Sequence, residues 1–354
     1  MRYFLFLLLA ISALQADPKT EALMECGHWK RARAAAEAAV KANPNDARAA
    51  YNMARVRQVY GDLDDGIKWA ELAIKLDPNL APAHRVRGEL YGDKAMKVSF
   101  FKQIGMAGKI KSSFDRAAAL DPKDLDNISD LISYYLEAPG IAGGDKKKAA
   151  DLAQEMLKID PARAYLEMAR IAQHEKHPEE LGKFYELAVE ANPKNVSAQS
   201  TLANYYFNPP HKDLERAEKH ARAVLDLDPG RAGGYRLVGF ALATQHRYDE
   251  AAALLERAEA AVPDDLSPYV IVARGLLREN VELPRAEGYL KKYIEKTQEP
   301  EAGTPPIAGA HWSLGLVYEK MGRKADAIAE MQTALKLKSD FEPAQKDLKR
   351  LKGA

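Results

Sequence analysis

Residues 232–263 read AGGYRLVGFALATQHRYDEAAALLERAEAAVP. Two helical stretches, 232–245 and 249–262, flank a short polar turn. Large residues (Tyr235, Val238, Leu242, Leu255) alternate with small ones (Gly239, Ala251, Ala258) at helical spacing, as close packing of two antiparallel helices requires. The stretch ends at Pro263, and an acid or amide followed by proline closes the same pattern elsewhere: VKANP at Pro44, IKLDP at Pro78, AALDP at Pro122, LKIDP at Pro161, VEANP at Pro193 and LDLDP at Pro229. Successive prolines are 34, 44, 39, 32, 36 and 34 residues apart. A period of this size means stacked helical units, none of which buries its apolar face alone. Proline suits the junction because it ends one helix and starts the turn to the next.

The in-phase small residues extend the pattern over the chain: Ala54, Gly88, Ala169, Ala203, Ala273 and Gly315 in first helices, and Ala32, Gly66, Ala149, Ala217, Ala286 and Ala327 in second helices. With Leu314, Gly315, Tyr318, Ala327, Met331 and Ala334 in one unit, and Tyr235, Gly239, Ala251, Leu255, Ala258 and Pro263 in another, the chain resembles the tetratricopeptide repeat (TPR) family. That resemblance implies an all-α fold, an α-solenoid winding as a right-handed superhelix of about nine helix pairs over 17–340. A capping helix and tail at 341–354 complete it. Departures fall at Ile132, at the short helix before Gly27, and at Ser339 in place of the last proline.

Composition narrows the function. With 52 Lys+Arg against 51 Asp+Glu, the chain lacks the basic excess of a general nucleic-acid binder, so no nucleic-acid partner is expected. One cysteine excludes an internal disulfide framework, a cysteine-based zinc site and an iron–sulfur cluster. Residues 1–16 begin with Arg2, continue through an apolar stretch from Tyr3 to Leu14 broken by Ser12, and end with Ala13 and Ala16 as small cleavage-site residues. A spanning helix needs roughly 20 apolar residues, so this segment reads as a secretory signal and the chain as exported, periplasmic or extracellular.

The catalytic search is empty. His174 and His177 are three apart with Pro178 following, whereas a zinc-protease helix needs two histidines four apart. Gly140, Gly143 and Gly144 before Lys146 lack phosphate-loop spacing and a hydroxyl residue after the lysine; a widened turn with Asp145 capping the next helix accounts for them. No enzyme, metal or cofactor is implied.

Two insertions break the period, near 94–108 and 137–144. The first is basic and apolar: Lys94, Lys97, Lys102, Lys109 and Lys111 alternate with Met96, Phe100, Phe101 and Met106, with no acid between Lys94 and Phe114. It reads either as a protrusion that touches a membrane surface or an anionic polymer, or as an elongated first helix whose Phe and Met pack on a neighbouring unit. The resemblance further implies that first helices line a concave groove. Arg163, Arg170, Asn204, Phe207, Arg236, Phe240, Arg274, Arg278 and Trp312 fall on its groove positions, suiting an acidic or carboxylate-ended partner segment. The expected function is a protein–protein interaction scaffold.

Overall fold

The computed structural model describes residues 18–353, so the expected signal at 1–16 lies outside the described residues. Nineteen α-helices and two short 3-10 turns make up the regular structure of the described residues, which contain no strand. Unit one pairs α1 (Pro18–Glu25) with α2 (Trp29–Ala42), unit two α3 (Ala47–Val59) with α4 (Leu63–Leu76), and unit three α5 (Ala81–Ala95) with α6 (Phe100–Leu120). Unit four pairs α7 (Leu125–Glu137) with α8 (Lys146–Met156), unit five α9 (Pro161–Glu175) with α10 (Leu181–Ala191), and unit six α11 (Val196–Phe207) with α12 (Leu214–Leu227). Units seven, eight and nine pair α13 (Ala232–Thr244) with α14 (Tyr248–Ala261), α15 (Ser267–Glu279) with α16 (Leu283–Lys296), and α17 (Ile307–Lys320) with α18 (Lys324–Leu337). Helix α19 (Glu342–Gly353) covers the end, burying Ala344 and Leu351.

Local chemistry starts these helices where the sequence places them. The Asp46 carboxylate accepts the backbone N–H groups of Arg48 and Ala49, and Asp124, Asp145, Asp160, Asn195 and Asp213 cap their helices likewise. Small residues sit where helices cross closest: a methyl group on Gly88 would lie 2.5 Å from Phe114 Cε1, so only glycine lets α5 approach α6 this closely. The alternating large side chains, among them Leu90, Leu202, Leu242, Leu255 and Met331, are fully buried.

Measured between first-helix starts, the spacings are 34, 44, 36, 35, 36, 35, 40 and 35 residues. Three corrections to the sequence reading follow. Pro161 is itself the first residue of α9, whereas the other junction prolines precede their helices by three or four residues, so the excess in unit four is two residues and not five. The insertion in unit three lengthens the second helix, α6, to 21 residues and does not extend the first. Its Phe and Met also stay partly outside the packing, with Phe101 84% exposed and Met96 and Phe100 exposed beside it. A further excess, six residues in unit eight, lies in the α16–α17 connection at 297–306, beyond the last proline of the series.

Successive first helices pack on one another (α3 on α5, α7 on α9, α9 on α11, α11 on α13, α13 on α15, α15 on α17), whereas second helices pack chiefly on first helices. The array therefore curves with first helices on the inside. Curvature brings unit one back against the turns of units seven to nine. The Lys30 ammonium donates to the carbonyls of Asp264 and Glu299, Arg31 bonds the Asp264 carboxylate, and Arg33 holds Glu299 through two bonds of 2.8 and 2.6 Å. Arg231 donates to the Glu25 carbonyl at 2.5 Å. Glu301, 3% exposed, accepts the Lys30 backbone N–H at 3.0 Å. His28 supplies no side-chain cap to α2, so a carboxylate from some 270 residues away does that work at the positive end of the helix. Burial raises the Glu301 carboxyl above the usual range, while the bond from Arg33 lowers Glu299.

Candidate functional site

The concave face is built by the first helices, and most of its expected contact residues stitch neighbouring units together. Arg163 bonds Asp126 of α7, and Arg170 bonds Ser133 of the same helix while lying 3.4 Å from Glu167. Arg236 reaches Ser267 Oγ at 2.9 Å and Asp265 at 3.3 Å on the next unit. Arg274 donates to Ser313 Oγ at 3.0 Å and the Gly309 carbonyl at 3.2 Å; burial, with no carboxylate beside it, lowers its pKa from the usual guanidinium value. Trp312 donates from Nε1 to Asp347 of the cap at 2.9 Å. Each bond spans adjacent units because consecutive first helices run side by side.

This ladder divides the expected groove residues. Phe207 does not reach the groove: it is 4% exposed, packed edge-to-face on Phe240 at 5.2 Å, because the α11–α13 contact closes over it. Asn204 is exposed and donates to the Ser200 carbonyl of its own helix at 3.0 Å. Arg278 lies over the half-buried Phe240 ring at 5.7 Å, with Glu279 at 3.9 Å. Arg170, 49% exposed, and Arg278 keep outward-facing guanidinium surface, and a guanidinium has five N–H donors. Arg163 and Arg170 flank a polar cavity of about 620 Å³ between α9 and α11, with Leu166, Gln173, Tyr185 and Thr201 in its walls.

The basic insertion divides similarly. Lys94 pairs with Asp64, Lys111 with Asp115 at 2.7 Å, and the Lys109 ammonium lies 5.0 Å above the Tyr91 ring. Lys97 and Lys102 remain exposed beside Met96, Phe100 and Phe101. His174 lies in the last turn of α9 and His177 immediately precedes the following 3-10 turn, so the two do not share a helix. No group of three or more His, Cys, Asp or Glu among the described residues is placed to hold a metal ion. No described helix is long and apolar enough to cross a membrane.

Two tetratricopeptide repeat family models match, one over residues 21–81 and 211–265, the other over 162–195 and 308–341, together more than half of the chain. The chain belongs to the tetratricopeptide repeat family. TPR arrays imply a protein–protein interaction scaffold, and proteins of this family are in general non-enzymatic. Among solved structures, the chain is similar to yeast Tom70 at 14% identity and TM-score 0.47, covering 95% of this chain and 87% of that one. A tetratricopeptide repeat protein from Parabacteroides merdae gives 16% and 0.46, covering 75% and 98%. PilW, described as a widely conserved type IV pilus biogenesis factor, gives 19% and 0.46, covering 63% and 97%. Comparison with curated protein sequences gives no match.

Sequence reasoning missed the contacts of Lys30 and Arg33 with the 297–306 connection and of Lys30 and Arg31 with Asp264. The only signal for that connection was its Pro- and Gly-containing stretch EPEAGTPP, which follows the point where the proline series stops.

Proposed function

We propose that this TPR protein is an exported scaffold that holds an extended, acidic or carboxylate-ended segment of a partner along the first helices of units five to eight. The observation that carries the reading is the cavity between α9 and α11, where Arg170, 49% exposed, turns guanidinium surface outward beside Gln173 while Arg163 pairs with Asp126. Arg suits this task because its planar fork bonds a carboxylate through two donors. Arg236 and Arg274 are committed to neighbouring units and serve the framework. The test is fluorescence anisotropy with a labelled decapeptide of alternating Glu and Ala carrying a free carboxyl end. Arg170→Glu combined with Arg278→Glu weakens binding about tenfold or more, the worth of one charge-assisted hydrogen bond. Equal binding by the native and doubly substituted chains would remove the groove assignment.

Export rests on Arg2 and the apolar run Tyr3–Leu14. Intact mass of the protein recovered after expression of the full chain checks it: cleavage after Ala16 leaves Asp17 as the first residue, and a retained leader contradicts the reading. A second reading, peripheral contact with a membrane, is favoured by the exposed Met96, Phe100 and Phe101 beside the exposed Lys97 and Lys102. Flotation with anionic vesicles, lost on Phe100→Ser with Phe101→Ser, supports it; unchanged flotation refutes it.

A further inference from the structure

The two interruptions of the repeat, at 94–108 and 137–144, meet in space. The Tyr134 hydroxyl donates to the Ala142 carbonyl, and the 3-10 turn Gly140–Ala142 packs on α6. The turn is held firmly: Gly144 N–H donates to the Pro139 carbonyl at 3.1 Å and Asp145 N–H to the Tyr135 carbonyl at 2.9 Å. A side chain at Gly144 would strike the Ala138 carbonyl at 1.8 Å, so the fold-back requires glycine there. First helices α5 and α7 pack less closely here than α3 with α5 or α7 with α9. A cavity of about 430 Å³ opens in the gap, within the size range of binding pockets.

Its floor is apolar: Ile104, Ala107, Ile110 and Phe114 line it along one face of α6, joined by Tyr134. Its rim is acidic, with Glu89 and Asp93 from α5 and Asp130 and Glu137 from α7, and its lining holds no Lys or Arg. Arg85, beside the cavity, is shared among Glu89 at 2.6 Å, Asp130 at 3.5 Å, and Asp124 and Asp126 at 3.6 Å each, and Arg170 bonds Ser133 of the lining. The exposed Asp93 and Glu137 make no ion pair among the described residues and leave the opening negative. The buried Asp130 Oδ2 lies 3.5 Å from Arg85 without a hydrogen bond, and burial, with the Glu89 charge beside it, raises the Asp130 carboxyl above the usual range. A cation at the rim would relieve that penalty.

We propose that this cavity receives a partner segment that inserts an apolar side chain against α6 and sets an adjacent Lys or Arg against Asp93 and Glu137. The proposal rests on the scaffold reading of the chain. Ser133, in the cavity lining, is also the residue that Arg170 bonds, so the site adjoins the basic stretch of units five to eight. The concave face then carries opposite charge preferences in its two halves, which fixes the direction of a bound segment.

The test uses the full chain and three C-terminally labelled peptides in fluorescence anisotropy. They are acetyl-Lys-Ala-Leu-Leu-Ala-Lys, the same peptide with Glu for both Lys, and the same peptide with Ser for both Leu. The first binds and the other two bind at least about tenfold more weakly, since each lacks one of the two complementary features. Asp93→Asn with Glu137→Gln, both exposed and neutral in shape, weakens the first peptide about five- to tenfold, and Ala107→Trp, filling the cavity, abolishes it. Equal binding of the three peptides, no binding of the first, or binding indifferent to the Asp93 and Glu137 substitutions overturns the proposal. Occupancy by benzyltrimethylammonium without peptide binding overturns the partner-segment assignment in favour of a small cation. If the basic peptide fails while the acidic decapeptide still binds units five to eight, this pocket alone is refuted; if both fail, the scaffold reading falls with it.

Discussion

Loosening the contact between unit one and units seven to nine tests whether the array is held in one curvature. The perturbation is Arg33→Glu with Glu301→Ala. Removing the Glu301 carboxylate takes the only side-chain cap from the N-terminus of α2 and the nearest charge partner of Lys30, which lies 4.0 Å from it. A lost cap at a helix N-terminus costs about 1–2 kcal/mol. Burial already disfavours the Glu301 charge, so the loss stays within that range and does not reach the cost of breaking a strong buried pair. Reversing Arg33 removes its two bonds to the half-exposed Glu299 and adds repulsion, about 1 kcal/mol. Together the change is about 2–3 kcal/mol, a roughly 30- to 150-fold rise in the undocked population. Trypsin cleavage after Lys30 and Arg31, both retained in the variant, reports that population when opening is fast relative to cutting. The expected result is a matching rise in nicking rate. Arg33→Glu combined with Glu299→Arg restores much of the protection lost on Arg33→Glu alone, because the pair is swapped and not removed. Nicking of the Arg33/Glu301 variant within twofold of the native chain, or no rescue by the swap, refutes the idea that these contacts hold unit one in place.

The Glu259 carboxylate sits under Lys292, Lys296 and Tyr269, and these bonds, with Lys292 the largest influence, lower it to about 2. A depressed carboxylate adds stability above its unfolded value of 4.5 that is lost as pH falls toward 2. After allowance for solvent at this partly exposed group, that is about 1–2 kcal/mol, and Glu259→Gln flattens the acid unfolding curve between those values in circular dichroism. Gly88→Ala forces the Phe114 ring from its place and lowers thermal stability by about 1–3 kcal/mol; a transition at the native temperature contradicts the close α5–α6 approach. Arg274→Ala removes one donor each from the Ser313 hydroxyl and the Gly309 carbonyl, the latter still accepting from Ser313 Oγ at 2.9 Å, and costs about 1–2 kcal/mol in denaturant unfolding, while binding of the acidic decapeptide changes less than it does with Arg170→Glu and Arg278→Glu. Loss of binding equal to theirs makes Arg274 a groove residue.

Much of the architecture is legible without coordinates. Tyr235, Gly239 and Leu242 opposite Ala251, Leu255 and Ala258 specify a helix hairpin because each interaction is local and repeats at helical spacing. Asp46, Asp124 and Asn195 mark helix starts through bonds that span two or three residues. The site is less legible. Arg236 and Arg274 have the chemistry of ligand-binding residues, and only the positions of Asp265, Ser267 and Ser313 show that neighbouring units already occupy them. Phe207 lies on a groove position by register, yet the α11–α13 contact buries it.

The chain alone determined the helix pair, its period, its caps and the two regions where the period fails, since those depend on near neighbours along the sequence. Tertiary structure decided where the units meet after the array curves: Lys30 and Arg33 against Glu299 and Glu301, and the two insertions around one acidic-rimmed cavity. These contacts depend on small rotations summed over many stacked units. The two extra turns in α6, or six residues before α17, redirect every unit that follows, and no local pattern records the total.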